Sequence, residues 1–241
     1  MENIKNKYRK NSFYLLIGII GFFAATIGFL TTYIMPSVKG TFKAPAVVHL
    51  HGAFAFSWVI LFLVQTIAVK FRNFRFHKTL GFCGLFVALG IIITMLPVGI
   101  FQVNRDLSQG LGDTAISQIL GILTTAVIFS ILVGMGFWYR KKPKIHKRLF
   151  VLATIVLLWP AWFRFRHYFP SVPRPDIWFA VVLADSLIVL SWYVDKITFG
   201  KIHPIFLYGG LLIIAEHVVE ILMFDSELWR VWAKSIYSVL I

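Results

Sequence analysis

Long runs of apolar residues, separated by short polar segments, dominate this chain of 241 residues. The hydrocarbon core of a membrane is about 30 Å thick, so a helix that rises about 1.5 Å per residue crosses it in about 20 residues. The pattern therefore predicts an all-α polytopic membrane protein, with residues 1–241 forming one transmembrane domain. The seven predicted membrane helices are Ser12–Met35, Ala46–Val69, Thr79–Phe101, Ala115–Tyr139, Leu149–Tyr168, Ile177–Val194 and Ile205–Phe224.

The composition excludes several classes of protein. Hydrophobic residues make up 59% of the chain and charged residues 14%, which excludes a soluble globular domain. The single cysteine, Cys83, excludes an intramolecular disulfide framework and a cysteine-based metal cluster.

The net charge of +14 indicates orientation rather than a nucleic-acid partner. Sixteen of the 24 lysine and arginine residues precede the first run or lie in the connections that follow the second, fourth and sixth runs. Positively charged segments tend to stay on the cytoplasmic side. The N-terminus is therefore predicted inside and the C-terminus outside, with the lipid bilayer as partner and no nucleic acid.

A further helix is predicted over residues 225–241, after the last membrane run. Its first residues, Asp225 to Glu227, are of the types that favour a helix N-terminus. Apolar residues then recur at spacings of three and four, which is the pattern of an amphipathic helix lying in the outer membrane interface. These residues are Trp229, Trp232, Ile236 and Val239.

Ionisable residues inside a membrane helix are costly, so each one is a candidate functional residue. A predicted outer polar cluster contains two arginines, three acids and four histidines. One interpretation is purely structural: the arginines and acids form ion pairs that hold helices together around a water-filled vestibule. The cluster comprises His49, His51, Arg164, Arg166, His167, Asp185, Glu216, His217 and Glu220.

Two other interpretations of the outer polar cluster remain open. His217 and Glu220 lie three residues apart on one helix and could share a metal or proton site with His51 and Asp185. The two guanidinium groups weaken the case for a divalent cation, and they favour an anionic substrate or the carboxylates of a cofactor.

A second candidate site lies at the predicted inner face. His77, His146 and His203 each open a membrane run, and Asp195 ends the sixth. Three imidazoles at one depth are typical of a transition-metal site, with the carboxylate as a fourth ligand or as the group that orients a histidine. The alternative is that these histidines cap helix starts and contact lipid phosphate.

Haem b is the other cofactor that histidines on different helices could bind. It needs two facing imidazoles, an apolar slot and basic groups for its propionates. His77 with His146 could bind an inner haem, and His51 with His217 or His167 an outer one.

Several short motifs in the second to seventh runs resemble a family of bacterial multi-pass membrane proteins that has no established activity. The resemblance implies a multi-pass protein of the bacterial inner membrane, with His51, His77, His146 and His203 as its signature. The His-Lys-x-Leu helix openings are also similar to b-type di-haem cytochromes and to membrane factors that assist haem or copper maturation of terminal oxidases. The motifs are His49-Leu50-His51-Gly52-Ala53 with Trp58 and Gln65, His77 to Gly81, His146 to Leu149, and Asp195, Gly200, His203-Pro204 and Gly209-Gly210.

The leading functional prediction is that histidines bind haem or a transition metal for membrane electron transfer or oxidase maturation. Respiratory-chain proteins are the partners that this prediction implies. One alternative is an accessory subunit in which the outer polar cluster is structural. The other is a small solute or proton transporter, or a channel-like protein, whose path is lined by Asp185, Glu216, Glu220, Arg164 and Arg166. The sequence assigns no catalytic residue, no substrate and no oligomeric state.

Overall fold

The protein is all-helical over the residues that its computed structural model describes, which are residues 2–241, with side chains from Ser12 onward. The predicted inner charges Lys5, Lys7, Arg9 and Lys10 lie outside the described side chains. Seven helices are long and apolar enough to span a membrane, so the prediction of an all-helical fold with seven such helices is confirmed. They are α1 Ser12–Val38, α2 Ala46–Lys70, α3 Phe74–Ser108, α4 Asp113–Trp138, α5 Pro143–His167, α6 Asp176–Phe199 and α7 Pro204–Met223, and α8 Glu227–Leu240 follows them.

Two membrane helices begin earlier than the apolar pattern predicts, because a cap residue starts one of them and a proline starts the other. The side chain of Asn73 accepts a hydrogen bond from the backbone N–H of Phe76, which starts α3 before its apolar run. Pro143 occupies the first position of α5, where its missing N–H costs nothing. As a result, His77 and His146 lie within the first turns of these helices.

Short connections join consecutive membrane helices, so the helices alternate in direction. We call the end of the bundle at which the membrane-spanning part of α1 begins the proximal face, and the end at which α1 finishes the distal face. Residues 71–73, 139–142 and 200–203 connect helices at the proximal face. Residues 39–45, 109–112 and 168–175 connect them at the distal face, where α8 also follows α7.

Helix α5 forms the centre of the bundle. It contacts α1, α2, α4, α6 and α7, and 61% of its most apolar window is buried, against at most 39% for the other membrane helices. Its middle is apolar on all sides, which is the composition of a helix enclosed by others. Val151, Leu152, Ala153 and Ile155 are completely buried there.

Irregular helical turns are concentrated towards the distal face. Helix α1 passes through a π-helical segment at Leu30–Ile34, α5 ends in a 3₁₀ turn at Arg164–His167, and α6 opens with a π-helical segment at Asp176–Leu183. Such departures from α geometry re-aim side chains and are frequent at functional sites. The distal half of the bundle therefore has the backbone geometry that is frequent at functional sites.

Helix α8 is fastened to the start of α4 by polar contacts. The carboxylate of Asp225 accepts hydrogen bonds from Arg230 at 2.8 Å, from Thr114 at 2.8 Å and from Ser117 at 3.1 Å. The indole N–H of Trp229 donates to the carbonyl oxygen of Ser117 at 3.0 Å. The opposite side of α8 is apolar and exposed through Leu228, Val231, Trp232 and Val239.

We expect the attachment of α8 to weaken in acid. Arg230, helped by two hydroxyl groups, lowers the pKa of Asp225 from 3.8 to about 2. A carboxyl group whose pKa is lower in the folded state than in the unfolded state stabilises the folded state at pH values above its unfolded-state pKa. This stabilisation is lost as the pH falls towards about 2. Amide hydrogen exchange in residues 226–241, corrected for intrinsic rates, should therefore accelerate between pH 4 and pH 2, a window taken from those two values.

Asp225→Asn should give fast exchange in α8 at every pH, because the ion pair with Arg230 is absent throughout. Glu227→Gln is the matched control, since Glu227 is exposed on the same helix and makes no ion pair among the described residues. An acid-dependent rise of the same size in Asp225→Asn would contradict this role of Asp225.

Candidate functional site

The nine residues predicted to form one outer polar cluster lie in several different parts of the bundle. Four of them, which we call the acid–histidine cluster, come together between α6 and α7: Asp185, Glu216, His217 and Glu220. His49, His51 and Arg164 contact other helices, Arg166 contacts its own helix, and His167 is exposed. The outer polar residues thus form distinct local arrangements rather than one vestibule.

His217 is the centre of the acid–histidine cluster. Its Nδ1 lies 2.9 Å from Oδ1 of Asp185, and its Nε2 lies 3.6 Å from Oε2 of Glu216. Both His217 and Asp185 are buried, with exposed fractions of 4% and 5%. The His217 ring also lies beside the indole of Trp159 in α5, with ring centroids 6.5 Å apart. One imidazole is therefore held between two carboxylates.

Local backbone structure brings these side chains together. Asp185 comes two residues after the π-helical opening of α6. Glu216 and Glu220 lie four residues apart in α7, so they project from the same side of that helix. The carboxylate of Glu220 lies against Gly121 of α4, where an added Cβ would collide with it. The absent side chain at Gly121 therefore makes room for this acid.

In the part of the chain that the structure describes, His217 is the one basic side chain within ion-pair distance of the acids in the acid–histidine cluster. No lysine or arginine there forms an ion pair with Asp185, Glu216 or Glu220. Asp185 Oδ2 and Glu216 Oε1 are buried and have no hydrogen-bond partner among the described residues. The predicted ion pairs between these acids and the outer arginines are thus not formed in the part of the chain that the structure describes.

Arg164 and Arg166 lie at the distal end of α5 and face other partners. Arg164 donates from Nε to the hydroxyl of Thr32 in α1 at 3.2 Å and from Nη1 to the carbonyl oxygen of Pro160 at 2.8 Å. Arg166 donates to the carbonyl oxygen of Phe163 at 3.0 Å. His167, next to them, is exposed.

The two histidines at the start of α2 each bond to a hydroxyl group. His49 Nδ1 lies 3.1 Å from the hydroxyl of Tyr33, and His51 Nδ1 lies 2.8 Å from the hydroxyl of Thr94 in α3. These contacts join α2 to α1 and to α3. The contacts of His51 do not include His217 or His167, its predicted partners at an outer haem.

At the proximal face, the structure brings two of the three predicted histidines into contact. The rings of His77 and His146 lie edge to face, with centroids 6.2 Å apart. His146 Nδ1 lies 2.9 Å from the carbonyl oxygen of Gly136, which leaves its Nε2 available. His77 Nδ1 is buried without a hydrogen-bond partner. This pair is the part of the predicted inner site that the fold assembles.

His203 and Asp195 belong to a different arrangement. His203 caps α7, because its Nδ1 accepts a hydrogen bond from the backbone N–H of Ile205 at 3.2 Å. Burial, together with the positive charge of Arg148, lowers the pKa of His203. Asp195 accepts from Arg148 at 2.5 and 2.9 Å and from the backbone N–H of His203 at 3.1 Å.

The predicted inner metal site is therefore not assembled as expected. Asp195 binds an arginine and a backbone N–H, not an imidazole, and His203 behaves as the capping interpretation predicted. Among the described residues, no group of three or more histidine, cysteine, aspartate or glutamate side chains could hold a metal ion.

Arg148 is the residue that sequence reasoning missed. The charge pattern places Arg148 among the basic residues of the connection that follows the fourth run. Its side chain is nevertheless 3% exposed and pairs with Asp195, which is equally buried. The signal was present in the sequence, because an early start of α5 at Pro143 places Arg148 inside the helix. An acid in the adjoining helix at the same end was its natural partner.

No known protein family, curated protein or solved structure matches this chain. The predicted resemblances therefore stay predictions.

Proposed function

We propose that this chain is an integral membrane protein that binds protons at the acid–histidine cluster and moves them between the two sides of the membrane. The observation that carries the proposal is the packing of Asp185 and Glu216 around the single imidazole of His217, without a lysine or arginine partner among the described residues. The proposal takes up the transporter interpretation of the outer acids.

Unbalanced charge inside a membrane costs free energy. If all three carboxyl groups were ionised and His217 carried one positive charge, the cluster would hold two excess negative charges in a low-dielectric environment. Like charges about 4 Å apart repel by about 4 kcal/mol even at an effective dielectric constant of 20. Protons are the simplest compensation, so this cluster stores them, and its protonation states are coupled.

Half-buried and buried polar residues extend from the cluster towards both faces. Glu220 lies three residues before the distal end of α7. In the other direction, Asp185, Ser191 and Asp195 are all buried along α6, and the ten residues from the first to the last correspond to about 15 Å of helix. These groups are the proposed stations of the proton path.

We further propose that the proximal face is cytoplasmic and that the membrane is the bacterial inner membrane. Support comes from the sixteen basic residues on the proximal side. In this orientation α8 lies in the outer interface, where its exposed Leu228, Val231, Trp232 and Val239 would contact lipid.

The histidine-based redox function is the second candidate, and one observation favours it. His77 and His146 are close enough for their rings to flank one ion or one haem edge, and each has a free ring nitrogen. A third protein ligand is missing among the described residues. The acid–histidine cluster is therefore the better supported site.

Infrared spectroscopy of the purified chain tests proton storage directly. A protonated carboxyl group absorbs apart from a carboxylate, so we expect a protonated-acid band at neutral pH that Glu216→Gln or Glu220→Gln removes or shifts. Glu227→Gln is the matched control, because Glu227 is exposed in α8. Fully ionised acids at neutral pH would overturn the proposal.

Proton movement is measured with the same variants in liposomes that enclose a pH-sensitive dye. After a potassium diffusion potential is imposed, the wild-type protein should acidify or alkalinise the lumen faster than empty liposomes do. Glu216→Gln should lower this rate about tenfold or more, and Glu227→Gln should leave it unchanged. Equal rates in wild type and Glu216→Gln would contradict transport, and a visible haem band lost in His77→Ala would favour the redox candidate instead.

A further inference from the structure

Five arginines with described side chains lie near the distal face, and they fall into two classes. Three have carboxylate partners: Arg105 with Asp106 at 3.2 Å, Arg174 with Asp176 at 2.6 Å and Arg230 with Asp225 at 2.8 Å. No carboxylate lies within 4 Å of Arg164 or Arg166 among the described residues.

Both unpaired arginines are partly enclosed. Arg164 and Arg166 are half-buried at the end of α5, as is the paired Arg230 in α8, whereas Arg105 and Arg174 are exposed. Arg105 and Arg166 lie near enough to add their positive charges to the field at Arg164. Enclosing cationic groups without a counter-charge is costly, since water is lost and no anion replaces it. A bound anion would remove that cost.

Both guanidinium groups lie over aromatic rings. Arg164 lies over the ring of Phe29, 4.1 Å from its centroid, and Arg166 lies over the ring of Phe163 at 3.7 Å. Stacking on a ring uses the face of the guanidinium and leaves the N–H groups at its edge to bind a ligand. The aromatic rings therefore hold the guanidinium groups of Arg164 and Arg166 in place before an anion binds.

The backbone around Arg164 is shaped to receive it. Gly28 lets α1 approach α5 so closely that an added Cβ would collide with the carbonyl oxygen of Ala161. The next residue, Phe29, lies under Arg164, and Thr32 in the π-helical segment of α1 accepts from its Nε. Nη2 of Arg164 makes no hydrogen bond with the described residues. Its two N–H groups are therefore available to a ligand.

We propose that Arg164 and Arg166 form a binding site for an oxyanion, either a phosphate or a carboxylate group, that opens at the distal face. Arg164 supplies Nη2 from the interior, and Arg166 supplies its edge near the surface beside the exposed His167. Arg forks match the planar pairs of oxygens that such groups present. The site faces α1 and is separate from the acid–histidine cluster, so it does not depend on the proposed proton function.

Binding of small anions to the full chain in detergent tests the site. Inorganic phosphate and succinate are the probes, and isothermal titration calorimetry gives their affinity. Arg164→Gln should weaken binding of at least one probe about tenfold or more. Arg174→Gln is the matched control, because this arginine at the same face already has a carboxylate partner, and it should leave the affinity unchanged.

The phosphate could also belong to a lipid headgroup. Nanodiscs containing phosphatidylglycerol or only phosphatidylcholine separate the two sources, with retained lipid measured by mass spectrometry after extraction into detergent. Retention of phosphatidylglycerol that depends on Arg164 would identify the lipid as the ligand, and probe binding in lipid-free detergent would identify a small anion.

The proposal fails if wild type and Arg164→Gln bind both probes equally weakly and retain equal amounts of lipid. Arg166→Gln provides a second variant if Arg164→Gln does not fold, because Arg166 makes its only described side-chain hydrogen bond within its own helix. Unchanged probe affinity and unchanged lipid retention in a folded Arg166→Gln protein would overturn the two-arginine site.

Discussion

Arg148→Ala should destabilise the protein by about 3–5 kcal/mol, because it leaves the buried carboxylate of Asp195 without its partner. The two side chains are each 3% exposed and are joined by two hydrogen bonds of 2.5 and 2.9 Å. Asp195 also accepts from the backbone N–H of His203, so the ion pair links α5, α6 and the start of α7. Thermal unfolding in detergent, followed by circular dichroism, measures the loss.

The matched control for Arg148→Ala removes both charges together. A double variant, Arg148→Met with Asp195→Leu, should recover most of the lost stability, because apolar residues of similar size commonly replace a buried ion pair at little cost. If the single variant were as stable as the double variant, the buried pair would not be what holds the proximal ends of these helices together.

Gly28→Ala should destabilise the protein by about 1–3 kcal/mol through overpacking between α1 and α5. The added Cβ would collide with a backbone carbonyl oxygen, that of Ala161, which cannot rotate away as a side chain could. The helices must therefore separate locally. Thermal unfolding in the same detergent measures the effect.

Gly134→Ala is the control for this glycine, since a Cβ added there meets no atom within 4 Å. Alanine is a better helix former than glycine, so this variant should be unchanged or stabilised by about 0.5–1 kcal/mol. Equal destabilisation by the two substitutions would show that helix propensity, rather than the contact with Ala161, determines the result.

The seven membrane helices were predictable because the signal for each is long and local. A run of about 20 apolar residues has few alternatives to a membrane helix, since every backbone polar group must be satisfied within the segment. The ends were harder to predict. Asn73 and Pro143 start helices through capping and backbone geometry, which the length of an apolar run does not reveal. As a result, His77, His146 and Arg148 lie inside helices rather than in the connections before them.

The members of the acid–histidine cluster were predictable, but their partners were not. Asp185, Glu216 and Glu220 stand out as acids within apolar runs, and i to i+4 spacing already places the two glutamates on one side of α7. Whether an arginine or a histidine neutralises them depends on the rotation of α5 about its axis. That rotation turns Arg164 towards Thr32 in α1 and Trp159 towards His217.

The sequence alone determined an all-helical chain with seven helices long and apolar enough to cross a membrane, because the length and hydrophobicity of each segment act locally. Only the tertiary structure decided which polar residues meet: His77 with His146, Asp195 with Arg148, and Asp185 with His217. Such contacts depend on how each helix is rotated and how closely it approaches its neighbours. Both depend on packing details such as the close approach of Gly28 to the carbonyl oxygen of Ala161. The hydrophobic periodicity of the sequence does not predict such contacts.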